Sequence, residues 1–348
     1  MTPGELTQFV QDGEAIRGVA LGGAALAGAD LSGGIFEEVD FTAADLTATR
    51  WRESVLVGCR FDQARLPGAD FSKANLARCT LRGTDLAEAR FLRSLVAECD
   101  FTGAGLARAD LTNSAFALCQ FDRASLADAT VFRAALASCT TTGIDLSGAN
   151  FERAALLDPD LSAARLDRVR FRRTTLMKAK LAGRDLRGIG FPGCMLMEAD
   201  LSGCDLSGAD LTQCMLSQAV LTEARLDGVI LTRAVLTGAK LAGAVLARAD
   251  LTQAILIGAD LTRASLEGAR LYQATATGLI APEARFTHCD LSYADLSHAI
   301  LDKANFEGAK LAGTNLHAIR DEGAYIPDRA AGKATDPERA RAETWHTR

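Results

Sequence analysis

Nine cysteines, four histidines and columns of alternating acidic and basic side chains are the groups in this 348-residue chain that could do chemistry. Cys59, Cys79, Cys99, Cys119 and Cys139 recur every twenty residues, and Cys194, Cys204, Cys214 and Cys289 follow less evenly. Thiols so arranged could form disulfides, ligate a soft metal or fill a core as small hydrophobes. None stands in CxxC spacing, and a sealed apolar surrounding would offer no nitrogen or oxygen co-ligand. Core packing is therefore the expected role of the thiols. His288, His298, His317 and His346 crowd toward the C-terminal end, and the pair His298 and His317 lacks a carboxylate partner in the sequence. That is a poor metal site. The chain shows neither a nucleophile beside a base nor a glycine loop leading a helix onto phosphate. The expectation is no catalytic residue, no cofactor-binding residue, no metal and no enzyme.

The elements that hold these groups follow from a period of five. From Ile16 to Leu316 every fifth residue is Leu, Phe, Val, Ile or Trp, except Thr141, Ala276 and Ala281, and no insertion breaks the frame. Two residues before such a centre there is almost always a small residue, commonly Ala; all nine cysteines occupy that position. Asp or Asn often precedes the centre, Ser or Thr often follows, and Gly is frequent two residues after. A step of five cannot keep a helix face, and an odd step flips a strand face. What fits is a short extended piece with two inward side chains, followed by a tight turn at each corner.

Runs such as Ala199-Asp200-Leu201-Ser202-Gly203 and Ala209-Asp210-Leu211-Thr212-Gln213 resemble the pentapeptide repeat family, with consensus A(D/N)LXX, over residues 14 to about 318. The resemblance implies an all-β fold: a right-handed quadrilateral parallel β-helix with four pentapeptides, hence about twenty residues, per coil. The sequence tests this independently. The cysteine column keeps the twenty-residue spacing, and Phe41, Phe61, Phe101 and Phe121 share one face. With strands about 4.8 Å apart, some fifteen coils would make a rod roughly 70 Å long.

Three domains are expected: 1–13 as an N-terminal capping helix, 14–318 as the β-helix, and 319–348 as a C-terminal cap and mobile tail. In the first, Thr2 would be N-cap, Pro3 the first helical residue, Glu5 the capping-box partner and Gly13 the terminator, with Leu6, Phe9 and Val10 over the open coil. Beyond Leu316 the frame is lost at Asp321. Tyr325, Ile326 and Pro327 would fold over the last coil, and Asp336-Pro337-Glu338 would start a short helix toward Trp345, a candidate anchor of a docking tail. A distorted coil is expected at 274–282, where Leu279 takes the small position.

With a solid interior, function must lie on the outside. Three sides carry opposite charges one coil apart, as in Asp30, Arg50, Asp70 and Arg90, or Asp145, Arg165 and Asp185. Such pairs suit stacking and solubility. The fourth side carries Ile35, Val55, Val57, Leu95, Leu157, Met177, Met195, Met197, Met215, Val235, Ile255 and Ile257 at outward positions, with an alanine-rich middle. An exposed apolar strip of that extent reads as a contact surface, and methionine suits adaptable contacts.

A net charge of -6, from 44 acids against 38 bases, gives no general attraction to nucleic acid or anionic lipid. The start lacks the basic and apolar regions of a signal peptide, and no apolar run could span a bilayer, so a cytoplasmic protein is expected. The expected function is a non-catalytic protein–protein interaction scaffold acting through the strip on a protein partner or a second copy, with no small-molecule substrate, nucleic acid or membrane. More loosely, the chain is similar to pentapeptide repeat proteins encoded with bacterial type VI secretion components, which would make the partner a secretion-system protein. The alternative is the branch of the family that mimics DNA and binds the topoisomerase DNA gyrase. That branch needs an acidic stripe, which basic residues interrupt here.

Overall fold

The structure is a computed structural model and describes residues 3–345. It forms two compact units, Met1–Leu176 and Met177–Arg348. In the first, helix α1 (Pro3–Gln11) is followed by β1 (Ala15–Arg17), β2 (Ile35–Glu37), β3 (Val55–Val57), β4 (Asn75–Ala77), β5 (Leu95–Ala97), β6 (Ala115–Ala117), β7 (Thr130–Phe132), β8 (Ala135–Ala137), β9 (Asn150–Glu152), β10 (Ala155–Leu156) and β11 (Arg170–Arg172). One parallel sheet runs β1-β2-β3-β4-β5-β6-β8-β10 and a second runs β11-β9-β7. Every pairing has a register of twenty, as in Ile35 with Val55 and Asn75 with Leu95. The result is a right-handed β-solenoid. Regular strand on the long face spans eight coils, fewer than the fifteen expected. In the second unit single-residue parallel bridges with the same register replace strands, from Lys180 with Asp200 to Ile300 with Arg320.

One pentapeptide explains the rest. Phe41 donates its N–H to the carbonyl of Arg60 in the next coil, 2.7 Å away, and the N–H of Ala43 reaches Asp62 at 3.0 Å. The carbonyl of Phe41 accepts from Ala44 at 3.0 Å and closes the turn. The residue two after nearly every centre sits in the left-handed region, as at Glu38 (φ 55°) and Arg78 (φ 53°). Glycine is favoured there because no side chain is strained. At Gly148 (φ 70°) a Cβ would also lie 2.1 Å from Oδ1 of Asp128, so a larger residue here would have to turn that exposed carboxylate aside. The Asp before the centre holds the turn from its other side. Oδ1 of Asp40 accepts the backbone N–H of Thr42 at 3.0 Å and its hydroxyl at 2.6 Å. Asp200 does the same for Ser202 in the second unit. The consensus order of Asp, centre and Ser or Thr is thus a turn-forming hydrogen-bond motif.

The core is a stack of centres. Phe41 lies on Phe61 with ring centroids 5.0 Å apart, Phe101 on Phe121 at 4.9 Å, and in the second unit Phe286 on Phe306 at 4.7 Å. Trp51 fits because its indole N–H donates to Oγ1 of Thr49 at 2.8 Å, and that hydroxyl donates to the carbonyl of Leu46. The buried serines and threonines of the inward small position, such as Ser54, Thr84 and Thr314, likewise donate to backbone carbonyls.

Several expectations change. Leu6 is fully buried, whereas Phe9 is 39% exposed and covers less of the first coil than expected. Thr2 lies outside the described residues. Residues 274–282 are regular: Ala276, Leu279 and Ala281 are fully buried and Thr275 bridges Ile255 and Asp295. Leu279 in the small position fills the space that the two alanines leave at the centres. Coil bonding also continues past 318, with Asn305 paired to Tyr325 and Asn315 to Lys333, and helix α2 (Pro337–Trp345) follows. Tyr325 is 57% exposed and so does not fold inward.

Candidate functional site: the outward faces

In the first unit, the sheet of β2, β3, β4, β5, β6, β8 and β10 carries the apolar side. Ile35, Val55, Leu95 and Leu157 point outward; Leu95 is 59% exposed and Val57 half-buried. The column is broken by Asn75 and continues through Ala115, Ala135 and Ala155. Leu118, in the corner after this face, is 60% exposed beside the alanines. It escapes a reading confined to the positions flanking each centre, because it belongs to the corner column that also holds Glu38, Gly58 and Arg78.

In the second unit, Met195, Met215, Val235 and Ile255 are bridged in direct succession, each to the next coil. Met197 and Ile257 flank them, and Met177 is half-buried at the start of the unit. Three steps without a charge make an apolar ladder about 14 Å long at strand spacing. The other sides of this unit are less uniformly polar than expected. Ile230 and Val245 are outward and exposed, but each stands between polar neighbours, such as Asp210 and Asp250 around Ile230. Scattered apolar residues of this kind are ordinary, whereas a contiguous column is not.

The charged sides pair as expected in part. Arg50 meets Asp30 at 3.0 Å, Arg165 meets Asp145 at 3.5 Å, and Arg60 pairs with Asp40. Asp70, however, pairs with Arg52 at 2.6 Å instead of Arg90, and Asp185 with Arg187 at 2.6 Å. The turn hydrogen bond fixes one oxygen of Asp70 on Ser72, leaving the other directed to the residue after the centre. The hydroxyl of Thr42, its backbone N–H and Arg60 together hold the Asp40 carboxyl below the usual carboxylate range.

All nine cysteines are buried in the inward small position. The thiols of Cys59 and Cys79 donate to backbone carbonyls of Phe36 and Leu56, both at 3.5 Å. Burial pushes the Cys289 thiol up to about 12 and raises Cys214 well above its ordinary value. These are protonated, shielded groups and poor nucleophiles or ligands.

The histidine pair gains the carboxylate the sequence did not show. His298 and His317 meet edge to face at 5.4 Å, and Glu343 of α2 approaches them at 3.5 and 3.1 Å. One ligand atom from each of the three lies within 4.8 Å of the others, a spacing compatible with a metal ion. The tautomer favours a different use. The N–H of Asp336 donates to Nδ1 of His317 at 3.2 Å, which places the ring proton on Nε2, pointing at Glu343. This hydrogen bond is the main cause holding the Glu343 carboxyl below its ordinary value. The cluster fastens α2 to the coil beneath it. Trp345's side chain and His346 lie outside the described residues.

With this geometry in view, the family described as pentapeptide repeats matches the chain in eight copies, over residues 21–50, 54–93, 194–233, 230–268 and 283–317, more than half of its length. Among solved structures the chain is similar to HetL, a pentapeptide repeat protein involved in heterocyst differentiation regulation from the cyanobacterium Nostoc. The identity is 23%, over 90% of this chain and 96% of that one, with a TM-score of 0.30. It is similar to full-length QnrB1, a plasmid-mediated fluoroquinolone resistance protein, at 18% identity over 84% and 96% of the two chains, TM-score 0.25. A pentapeptide repeat protein of Cyanothece is 20% identical over 44% and 89%, TM-score 0.16. No curated protein matches the chain.

Proposed function

The chain belongs to the pentapeptide repeat family, and from that premise we propose that it is a non-catalytic scaffold that binds a protein partner or a second copy through its outward apolar residues. The observation that carries this is the uncharged ladder of Met195, Met215, Val235 and Ile255, bridged coil to coil, with Met215 exposed and the other three half-buried. Ile35, Val55, Val57, Leu95 and Leu157 form a second, looser apolar patch in the first unit, joined by Leu118. Apolar area removed from water contributes about 25 cal/mol per Å², so a column of this size is worth several kcal/mol only when covered. A protein partner covers it without needing any buried catalytic group. Among the described residues the nine thiols are buried and His298 and His317 are engaged by Glu343, in keeping with the non-catalytic reading. Among the described residues no helix is long and apolar enough to cross a membrane. Nine thiols held without exposure suit a reducing compartment such as the cytoplasm.

The DNA-mimicking, gyrase-binding alternative needs carboxylates free to stand in for phosphates. Asp30, Asp40, Asp70 and Asp100 are each engaged by an arginine, which favours the scaffold instead.

The test is a paired substitution. Met195→Glu with Ile255→Glu is expected to abolish the dimer or complex that wild type shows by light scattering, with the circular dichroism spectrum unchanged. A variant that associates as wild type does would remove the ladder as an interface.

A further inference from the structure

A second surface lies in the first unit, at the corner that leads into the apolar side, two residues before Asn75, Leu95, Ala135 and Ala155. Two residues after the centres Phe71, Phe91, Val131, Phe151 and Phe171 stand Lys73, Arg93, Arg133, Arg153 and Arg173, all exposed, with Asn113 between. We propose that this basic corner is a docking surface for an acidic protein segment, an α-helix that presents carboxylates once per turn.

The corner is built, not incidental. The N–H of Lys73 donates to the carbonyl of Leu92 at 2.8 Å, that of Arg93 to Thr112 at 3.1 Å, and those of Arg133 and Arg153 to Glu152 and Arg172 at 3.0 Å. Each cation therefore sits one coil from the next in a fixed register, with φ between 50° and 60° directing its side chain off the corner. Lys73 pairs with Glu53 at 2.7 Å. Among the described residues Arg93, Arg133, Arg153 and Arg173 have no carboxylate partner. Arg170 and Arg172 of β11 add two more exposed cations beside them. In a chain of net charge -6 this is a local concentration of one sign, and such fields steer and select partners.

The corner also carries a shallow groove of about 450 Å³ between Lys73 and Arg93, with Arg52, Arg90, Leu92, Ser72 and Asn113 in its walls and one carboxylate, Glu53, which Lys73 neutralises. An apolar side chain on Leu92, hydrogen bonds to Ser72 and Asn113, and guanidinium forks for carboxylates are what a peptide can use. A nucleic acid would use less of it. Phe71, Phe91 and Phe151 are buried centres, and half-buried Phe132 lies under the guanidinium of Arg133 at 5.1 Å, so no ring is offered for base stacking. The spacing also fits a helix. Cations recur at about 4.8 Å per coil and a helix rises about 5.4 Å per turn. From Arg133 to Arg173 the mismatch is about 1 Å, well within the reach of arginine.

The probe is a labelled helical peptide of about 20 residues with Glu on one face, titrated with the full chain by fluorescence anisotropy at low salt. The expected result is saturable binding that weakens at least tenfold in Arg93→Glu/Arg133→Glu/Arg153→Glu and is unchanged in Arg233→Glu/Arg263→Glu of the second unit, both variants keeping the wild-type circular dichroism. Absence of binding overturns the proposal. So does equal loss in both variants, which would reduce it to overall charge. Tighter binding to a duplex DNA of equal charge at the same salt would assign the corner to nucleic acid and overturn it as well.

Discussion

At the residue scale, each column has one physical reason. The inward small position accepts Ala, Cys, Ser or Thr because a hydroxyl or thiol there can donate to a backbone carbonyl, as Ser54 does to Trp51 at 2.7 Å and Cys59 to Phe36. That is why spacing alone makes the cysteines look like a ligand ladder while their position identifies them as core. The structure agrees with the position. A chemical consequence follows for the thiols: burial raises Cys214 and Cys289, so the native chain is expected to resist an aromatic disulfide reagent at pH 8. In denaturant all nine thiols should react. Rapid reaction of even one thiol in the folded protein would show a breach in the solenoid wall. One group that sequence reading misses could not have been read from the repeat. Glu343 reaches His317 only because α2 returns to the last coils, a contact that no periodic pattern encodes.

At the scale of the element, the corner is the costly part of the fold. A non-glycine residue in the left-handed region costs roughly 1–2 kcal/mol. The chain accepts that cost at many corners, as at Arg78, Leu118 and Tyr293. Leu118 has φ 56° and is 60% exposed, so its side chain gains little packing in the isolated chain. Leu118→Gly is expected to raise stability by about 1 kcal/mol, read as an upward shift in thermal midpoint. A loss of stability would mean that Leu118 packs on its neighbours more than its exposure implies. If the same change weakens association, the corner belongs to the apolar patch and its strain is retained for binding. The corner column is as readable as the columns beside the centre. One such column holds Leu118 and another the basic run from Lys73 to Arg173, and neither shows in the alternation of charge just before each centre.

At the scale of the whole molecule, the period of five makes the coil legible before any coordinates, because every centre, small residue and turn residue repeats one local solution. The capping helix is legible too, from Pro3 and Gly13. Repetition also makes a local electrostatic fact global. In both units carboxylates such as Asp40, Asp45 and Asp205 accept a hydroxyl and a backbone N–H from the turn, and these hydrogen bonds are the main cause of their lowered pKa. A depressed carboxyl contributes stability that is fully present above its unfolded value of 3.8 and is lost as pH falls through the folded value. Because each coil holds its neighbours, the losses accumulate along a solenoid. The thermal midpoint is therefore expected to be nearly constant from about pH 7 to 5 and to fall steeply below about pH 4. Since the main partner is a neutral hydroxyl, not an ion, about 0.5 M salt should shift this little, whereas screening would abolish an ion-pair effect. Asn makes the same turn contact without titrating: Oδ1 of Asn305 accepts the N–H of Glu307 at 2.9 Å and Asn315 that of His317 at 3.1 Å. Asp40→Asn/Asp45→Asn/Asp205→Asn is accordingly expected to fold, to melt slightly lower than wild type at about pH 7, and to lose less of its midpoint on going to about pH 3. If the variant instead shows the full acid sensitivity of wild type, the turn carboxylates are not the groups that set the acid limit of this fold.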